Sequence, residues 1–149
     1  RKGESQGNPY FFVSKEKFLA DLDTGKFFEH AQQYNDEYYG ITFDEIKRVQ
    51  GTDDIYLWKI DYQGVESAKK LLPEIKAVLI TAPLEELERR IRGRGGMTEN
   101  QIQERMNYTK EWLKHTDLHD YTIVNADGQQ KTSIAKMKKI IEGLAELDT

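Results

Sequence analysis

The stretch AVLITAPLEELERRIRGRGG, residues 77–96, decides how the chain reads. Its first six residues, 77–82, form a short apolar run bounded by Pro83. That length suits a strand buried on both faces and is far below the roughly 18 residues a membrane span needs. Pro83 stands where a helix starts, because the fixed φ and missing N–H of proline are tolerated in a first turn. A helical segment is predicted over 84–92, and three glycines and a further arginine follow it.

Working outward, the same rhythm recurs. Apolar runs at 55–60 and 121–124 accompany the run at 77–82, and helical segments are predicted at 63–72, 98–115 and 131–147. Short apolar strands alternating with amphipathic helices indicate α/β architecture, a parallel sheet flanked by helices. Thr98 with Gln101 three residues on is a capping box for the long helix. Ile102, Met106, Tyr108, Trp112 and Leu113 fall at helical spacing, a stripe read as core.

Residues 1–50 follow a different pattern. Tyr10-Phe11-Phe12-Val13 is predicted as a short strand, Ser14 as the cap of a helix to about Thr24, and Gly25 as its stop. Strands are predicted at 27–32 and 38–42, separated by a polar turn at Asn35-Asp36-Glu37. These pieces make a small α+β lobe inserted in the α/β body. The expectation is one domain, 1–149, with this lobe at 1–50 and a core at 51–149.

The chain has 149 residues, 38% hydrophobic and 32% charged, a balance suited to a folded globular body rather than a disordered tail. No apolar run is long enough to cross a bilayer, and no apolar leader opens the sequence. It contains no cysteine, which excludes disulfides and thiolate metal sites. The net charge of −4 argues against a general nucleic-acid surface while permitting a local basic pocket. Membrane and nucleic-acid partners are therefore not expected, and a cytoplasmic location is. The sequence opens at Arg1 rather than at Met, inside what reads as a loop, so a fragment of a longer chain is expected.

Four arginines and three glycines crowd residues 88–96, and Arg105 follows on the next helix. Two readings fit Arg90, Arg94 and Arg105. Guanidinium forks bind phosphate oxygens bidentately, with the glycines hinging a lid. Alternatively, the arginines pair with Glu85, Glu86 and Glu88 on a solvated helix face, the reading preferred for Arg89 and Arg92. Two further groups are chemically suggestive: Arg1, Glu4 and Tyr10, and Glu29 with Tyr38-Tyr39-Gly40. Tyrosine hydroxyls with an arginine can clamp a phosphate monoester, and a buried carboxylate can accept two hydrogen bonds from the donor edge of guanine. Tyrosines flanking a strand glycine are also ordinary sheet-packing residues. His115 and His119 stand four apart beside Asp117 and Asp120, but lack the Glu of a zinc-protease helix, so no metal site is assigned. A nucleophilic serine elbow is absent.

Together these clusters resemble the guanylate kinase family. Arg1-Lys2-Gly3-Glu4 through Gly7 to Tyr10-Phe11-Phe12-Val13 is similar to that family's opening pattern. Gly25-Lys26-Phe27-Phe28-Glu29 is similar to its G-x-F-x-E segment, and Tyr38-Tyr39-Gly40 to its YYG. Asp61-Tyr62-Gln63-Gly64 is similar to its Asp-x-Gln-Gly turn, and the run from Pro83 to Gly95 to its LEELxxRLxxRG stretch. The resemblance spans essentially the whole chain and implies a P-loop kinase type of fold. It implies transfer of the γ-phosphoryl of ATP to GMP with Mg2+. By the same resemblance, Arg1, Tyr10 and Tyr39 would hold the GMP phosphate and Glu4 would brace them. Glu29 would read guanine and Asp61 would lie beside the acceptor nucleotide. Arg90, Arg94 and Arg105 would gather on the transferred group, with a lid at about 90–105, and Asn125 would lie near the adenine.

Three departures stand against this pattern. No G-x-x-x-x-G-K-[ST] phosphate loop occurs in the sequence, so the first strand–loop–helix is expected upstream of Arg1 and the 149 residues alone are expected to be inactive. Ile41 replaces a serine or threonine after YYG, leaving Thr42 as the possible substitute, and Lys59 replaces an acidic residue two before Asp61. The alternative implied by these departures is a non-catalytic guanylate kinase-like protein-interaction module. An RNA-binding reading of the arginine–glycine run lacks any aromatic platform and runs against the acidic charge.

Overall fold

Ser14 caps the helix α1 (Lys15–Asp23), its side-chain oxygen accepting from the Lys17 amide. Gly25 at φ +68° turns the chain out of that helix, a conformation that favours glycine. The structure, a computed structural model, describes residues 5–8, 10–32, 36–52 and 54–145. It divides into two compact units, 1–52 and 53–149.

In the first unit, β1 (Phe27–Gln32) and β2 (Tyr38–Thr42) form an antiparallel ladder. Phe18 of α1 is buried and stacks on Phe27 with ring centroids 4.3 Å apart. The register pairs Glu29 with Ile41, Ala31 with Tyr39 and Phe27 with Thr42, with a shift between Phe27 and Glu29. This bulge breaks the alternation of faces, and Phe28 and Glu29 are both buried although they are neighbours. A short helix not anticipated from the sequence, α2 (Phe43–Gln50), follows at once, with Thr42 accepting from the Glu45 amide as its cap.

Residues 10–13 form no strand, contrary to the sequence reading. The Phe12 amide and carbonyl bond to the Gln6 side chain at 2.8 and 3.3 Å, so a side chain satisfies backbone groups a ladder would have used. Phe11 is 79% exposed. Of the expected turn, Asn35 lies outside the described residues, and Asp36 adopts φ 63°.

The second unit contains α3 (Tyr62–Leu71), β3 (Val78–Thr81), α4 (Leu84–Gly93), α5 (Glu99–Trp112), a 3-10 turn (Leu113–Leu118), β4 (Tyr121–Val124) and α6 (Gln130–Ala145). β3 and β4 pair in parallel, Val78 with Tyr121 through Thr81 with Val124. Leu79 and Ile123 are buried within this sheet. Asp120 fastens its start: the carboxylate accepts from the Ala77 amide at 2.7 Å and pairs with Lys69 at 2.9 Å. Burial opposes ionisation of Asp120, but the Ala77 amide and the Lys69 ammonium hold its carboxyl below the ordinary value.

Ile91, Ile102 and Met106 form a cluster joining α4 to α5, with Met97 packed on it. The capping box of Thr98 and Gln101 is present in both directions. The long helix predicted to 115 instead closes at Trp112 and tightens into the 3-10 turn, where His115 leaves helical geometry. Residues 55–60 are not a strand. Their apolar side chains Ile55, Tyr56 and Leu57 are exposed, and among the described residues no strand pairs with them. An apolar run becomes a strand only where a neighbour accepts its backbone hydrogen bonds. Among the described residues no helix is long and apolar enough to cross a membrane.

Candidate functional site

In the first unit the ladder itself sorts the side chains. Residues opposed across an antiparallel pair share a face, so Glu29, Ile41, Ala31 and Tyr39 lie on one side of β1–β2. Glu29 is 6% exposed, Tyr39 is 39% exposed, and the Tyr10 ring meets the Tyr39 ring edge-on at 5.6 Å. Tyr39 donates its hydroxyl to Glu37 at 3.0 Å. The sequence-selected residues Tyr10, Glu29 and Tyr39 therefore gather on one patch bearing a buried carboxylate. Arg1 and Glu4 lie outside the described residues. The Thr42 hydroxyl oxygen accepts from the Glu45 amide at 3.3 Å as the cap of α2.

Gly40 is what allows these strands to approach. A Cβ there would stand 2.8 Å from the Glu29 carbonyl oxygen and 2.8 Å from the Phe27 ring.

In the second unit Asp61 is 8% exposed and caps α3, its Oδ1 accepting from the Gly64 amide at 2.9 Å. Its Oδ2 accepts from the Tyr108 hydroxyl at 2.7 Å. Burial, and then the bond to Asp61, hold the Tyr108 phenol far above its ordinary value. The Arg105 guanidinium lies 5.7 Å from the centre of the Tyr108 ring.

The arginine run is divided among partners. Arg90 donates to the Asn125 carbonyl at 2.8 Å and to Asp127 at 3.2 Å, and also pairs with Glu86. Arg89 pairs with Asp127 rather than with a glutamate of its own helix. Hydrogen bonding with Glu86, then Arg89 and Arg90, holds the Asp127 carboxyl at about 2. Arg92 pairs with Glu88 at 2.8 Å and with Glu99 at 2.7 Å, so it bridges two helices. Arg94 is exposed at the end of α4. Asn125 is tied further by its amide to the Thr81 carbonyl at 2.6 Å, and its side-chain oxygen accepts from Ser133 at 3.1 Å.

Two clefts open along the strands and helices of this unit. One of about 200 Å³ is lined by Thr81, Leu87, Arg105 and Trp112, and one of about 290 Å³ by Ile80, Asn125, Ser133 and Ile134. The carboxyl ends of parallel strands are where open α/β sheets receive ligands.

The sequence had separated Arg90 from Asn125, and the structure joins them. It also assigned Tyr108 to the core stripe, whereas that side chain is half-buried with its hydroxyl on Asp61. Asp127 was not singled out; its position after Asn125, next to Gly128, was the available signal. His115 stacks on Tyr62 at 4.4 Å, and His119 Nδ1 lies 3.2 Å from the His115 carbonyl. Among the described residues no group of three metal-ligating side chains occurs.

The guanylate kinase family profile matches residues 1–144. The guanylate kinase of Photorhabdus laumondii is 38% identical over 143 residues, 95% of this chain and 67% of that protein. The guanylate kinase of Haemophilus influenzae is 40% identical over 130 residues, 85% of this chain and 62% of that one. The chain thus spans about two thirds of the length of these curated relatives. The crystal structure of guanylate kinase from Anaplasma phagocytophilum superposes with a TM-score of 0.77 at 26% identity, covering 97% of this chain and 70% of that one. The chain belongs to the guanylate kinase family.

Proposed function

We propose that this chain is the acceptor lobe, lid and later core of a nucleoside-monophosphate kinase that moves the γ-phosphoryl of ATP to GMP, giving ADP and GDP. The observation that carries this reading is the buried Glu29 on the same ladder face as Tyr39, with Tyr10 packed against that ring. A carboxylate can accept from the N1–H and the exocyclic amino group of guanine together, a pairing the 6-amino edge of adenine does not reproduce. The tyrosine hydroxyls, with Arg1, take the phosphate of the nucleotide, and Glu4 braces them. Thr42 and Asp61 complete the acceptor side. Asn125 lies on the adenine side.

Phosphoryl transfer demands little covalent chemistry of the protein and much positioning and cationic stabilisation. Arg90, Arg94 and Arg105 supply the cations. The described residues supply neither a phosphate loop nor a carboxylate cage for Mg2+, and Lys59 brings positive charge near Asp61. These residues contribute binding, orientation and charge.

Calorimetric titration of the full-length protein with GMP and with AMP tests the reading. GMP is expected to bind at least about tenfold tighter, the worth of one charge-assisted hydrogen bond. Equal affinity for the two would overturn it and favour the protein-interaction module, towards which Ile41 and Lys59 lean.

A further inference from the structure

Tyr108 stands outside every motif that marks the family resemblance, yet its hydroxyl ends on a buried carboxylate of the acceptor side. We propose that Tyr108 is a positioning residue for GMP binding, fixing Asp61 from the helix that also carries Arg105. This inference rests on the acceptor role proposed for Asp61.

The geometry is specific. Asp61 Oδ1 is committed to the Gly64 amide at 2.9 Å, which anchors the carboxylate at the start of α3. The Tyr108 hydroxyl donates to Oδ2 at 2.7 Å and holds the second oxygen. Donors held on both oxygens orient the carboxylate that the acceptor-side reading assigns to the nucleotide. Burial and the Asp61 carboxylate keep the phenol protonated, and hence a donor, across the neutral range.

The tyrosine is itself held. Its ring packs against Trp112 at 6.2 Å and Tyr62 at 6.3 Å, and Arg105 lies over it at 5.7 Å. Tyr62 is the first residue of α3 and Trp112 the last of α5. The two ends of the hydrogen bond therefore sit on elements clasped by aromatic contacts. An apolar stripe reading of α5 accounts for the ring of Tyr108, but not for a hydroxyl aimed at a carboxylate on a separate element.

A double-mutant cycle tests the proposal: GMP and a non-hydrolysable ATP analogue are titrated into the full-length wild type, Tyr108→Phe, Asp61→Asn and the double variant, with melting temperatures recorded for each. Tyr108→Phe is expected to weaken GMP by roughly 5- to 20-fold, less than the full worth of a hydrogen bond to a charged group because Tyr108 acts through Asp61, and to leave the ATP analogue within about twofold. In the Asp61→Asn background the same change should have no further effect on GMP. A merely structural tyrosine would weaken both ligands alike and add undiminished to Asp61→Asn; either result overturns the proposal. Should Tyr108→Phe fail to fold, wild-type protein carrying ¹³Cζ-tyrosine is titrated with GMP: a shift of the Tyr108 resonance is expected, and an unmoved one overturns the proposal. If Asp61→Asn weakens GMP while Tyr108→Phe does not, only this inference falls. If the wild type does not prefer GMP to AMP, the acceptor-site reading falls and takes the inference with it.

Discussion

Removing the Glu29 carboxylate should discriminate among purines by the number of donors each presents. The side chain is 6% exposed and sits on a paired strand, so water cannot readily replace the lost acceptor. Leaving two guanine donors unpaired in such a place costs about 2–3 kcal/mol, the upper part of the usual range for a desolvated group. Glu29→Ala should therefore weaken GMP by roughly 30- to 150-fold. IMP lacks the exocyclic amino group and presents one donor to the same carboxylate. Its loss should be about half in free energy, roughly 5- to 12-fold. AMP presents neither donor at that position and should change by less than about twofold on the same grounds. Glu29→Gln should be no milder than alanine for GMP, because its amide offers one acceptor and sets an N–H against the second guanine donor. Calorimetric titration of the three nucleotides into the full-length wild type and both variants gives all the ratios. Equal losses for GMP and IMP, or a GMP affinity untouched by Glu29→Ala, would refute the assignment of Glu29 to the guanine edge.

Two further outcomes follow from the backbone and from the core. Gly40→Ala would place a methyl 2.8 Å from the Glu29 carbonyl oxygen and should spread the ladder, lowering stability by about 1–3 kcal/mol and weakening GMP. Gly143→Ala in α6, where nothing lies within 4 Å, should instead add about 0.5–1 kcal/mol, and urea unfolding of the pair checks the contrast. Asp120→Asn should cost about 1 kcal/mol at neutral pH, since the partly exposed carboxylate loses charge against Lys69 and strength against the Ala77 amide. The folded carboxyl lies below its unfolded value of 3.8, so its stabilisation is complete above that value and vanishes as pH falls through the folded one. The gap between wild type and Asp120→Asn in urea midpoints should accordingly close in strong acid and persist at neutral pH.

Local chemistry made much of this fold legible. The strands at 27–32 and 38–42 carry their own pattern and a stop-glycine before them, and the structure places β1 and β2 there. Thr98 and Gln101 announce a helix start within four residues, and the cap forms as read. The misreadings concern partners distant in sequence. Residues 10–13 and 55–60 have strand-like composition, but composition does not supply the second row of hydrogen-bonding groups. α2 carries no start signal of its own in the sequence, because its eight residues follow a strand without a loop; Thr42 ends one element and caps the next. The burial of Glu29 beside Phe28 depends on a register shift that no one-strand periodicity encodes. For the site, residue types pointed to Glu29 and the tyrosines, whereas the bonds from Tyr108 to Asp61 and from Arg90 to Asn125 cross 47 and 35 residues of chain.

The partners of the arginine run have a meaning of their own when viewed as counterions. Arg89, Arg90 and Arg92 lie within one helical turn and would repel one another if left bare. Glu86, Glu88, Glu99 and Asp127 sit against them as anions supplied by the chain itself. Most of these contacts are solvent-exposed, where an ion pair is worth about 0–1 kcal/mol and salt screens it further. A polyphosphate reaching this surface therefore exchanges one set of oxyanions for another and does not have to create the attraction from nothing. The resident carboxylates offset the mutual repulsion of the arginines without binding them tightly.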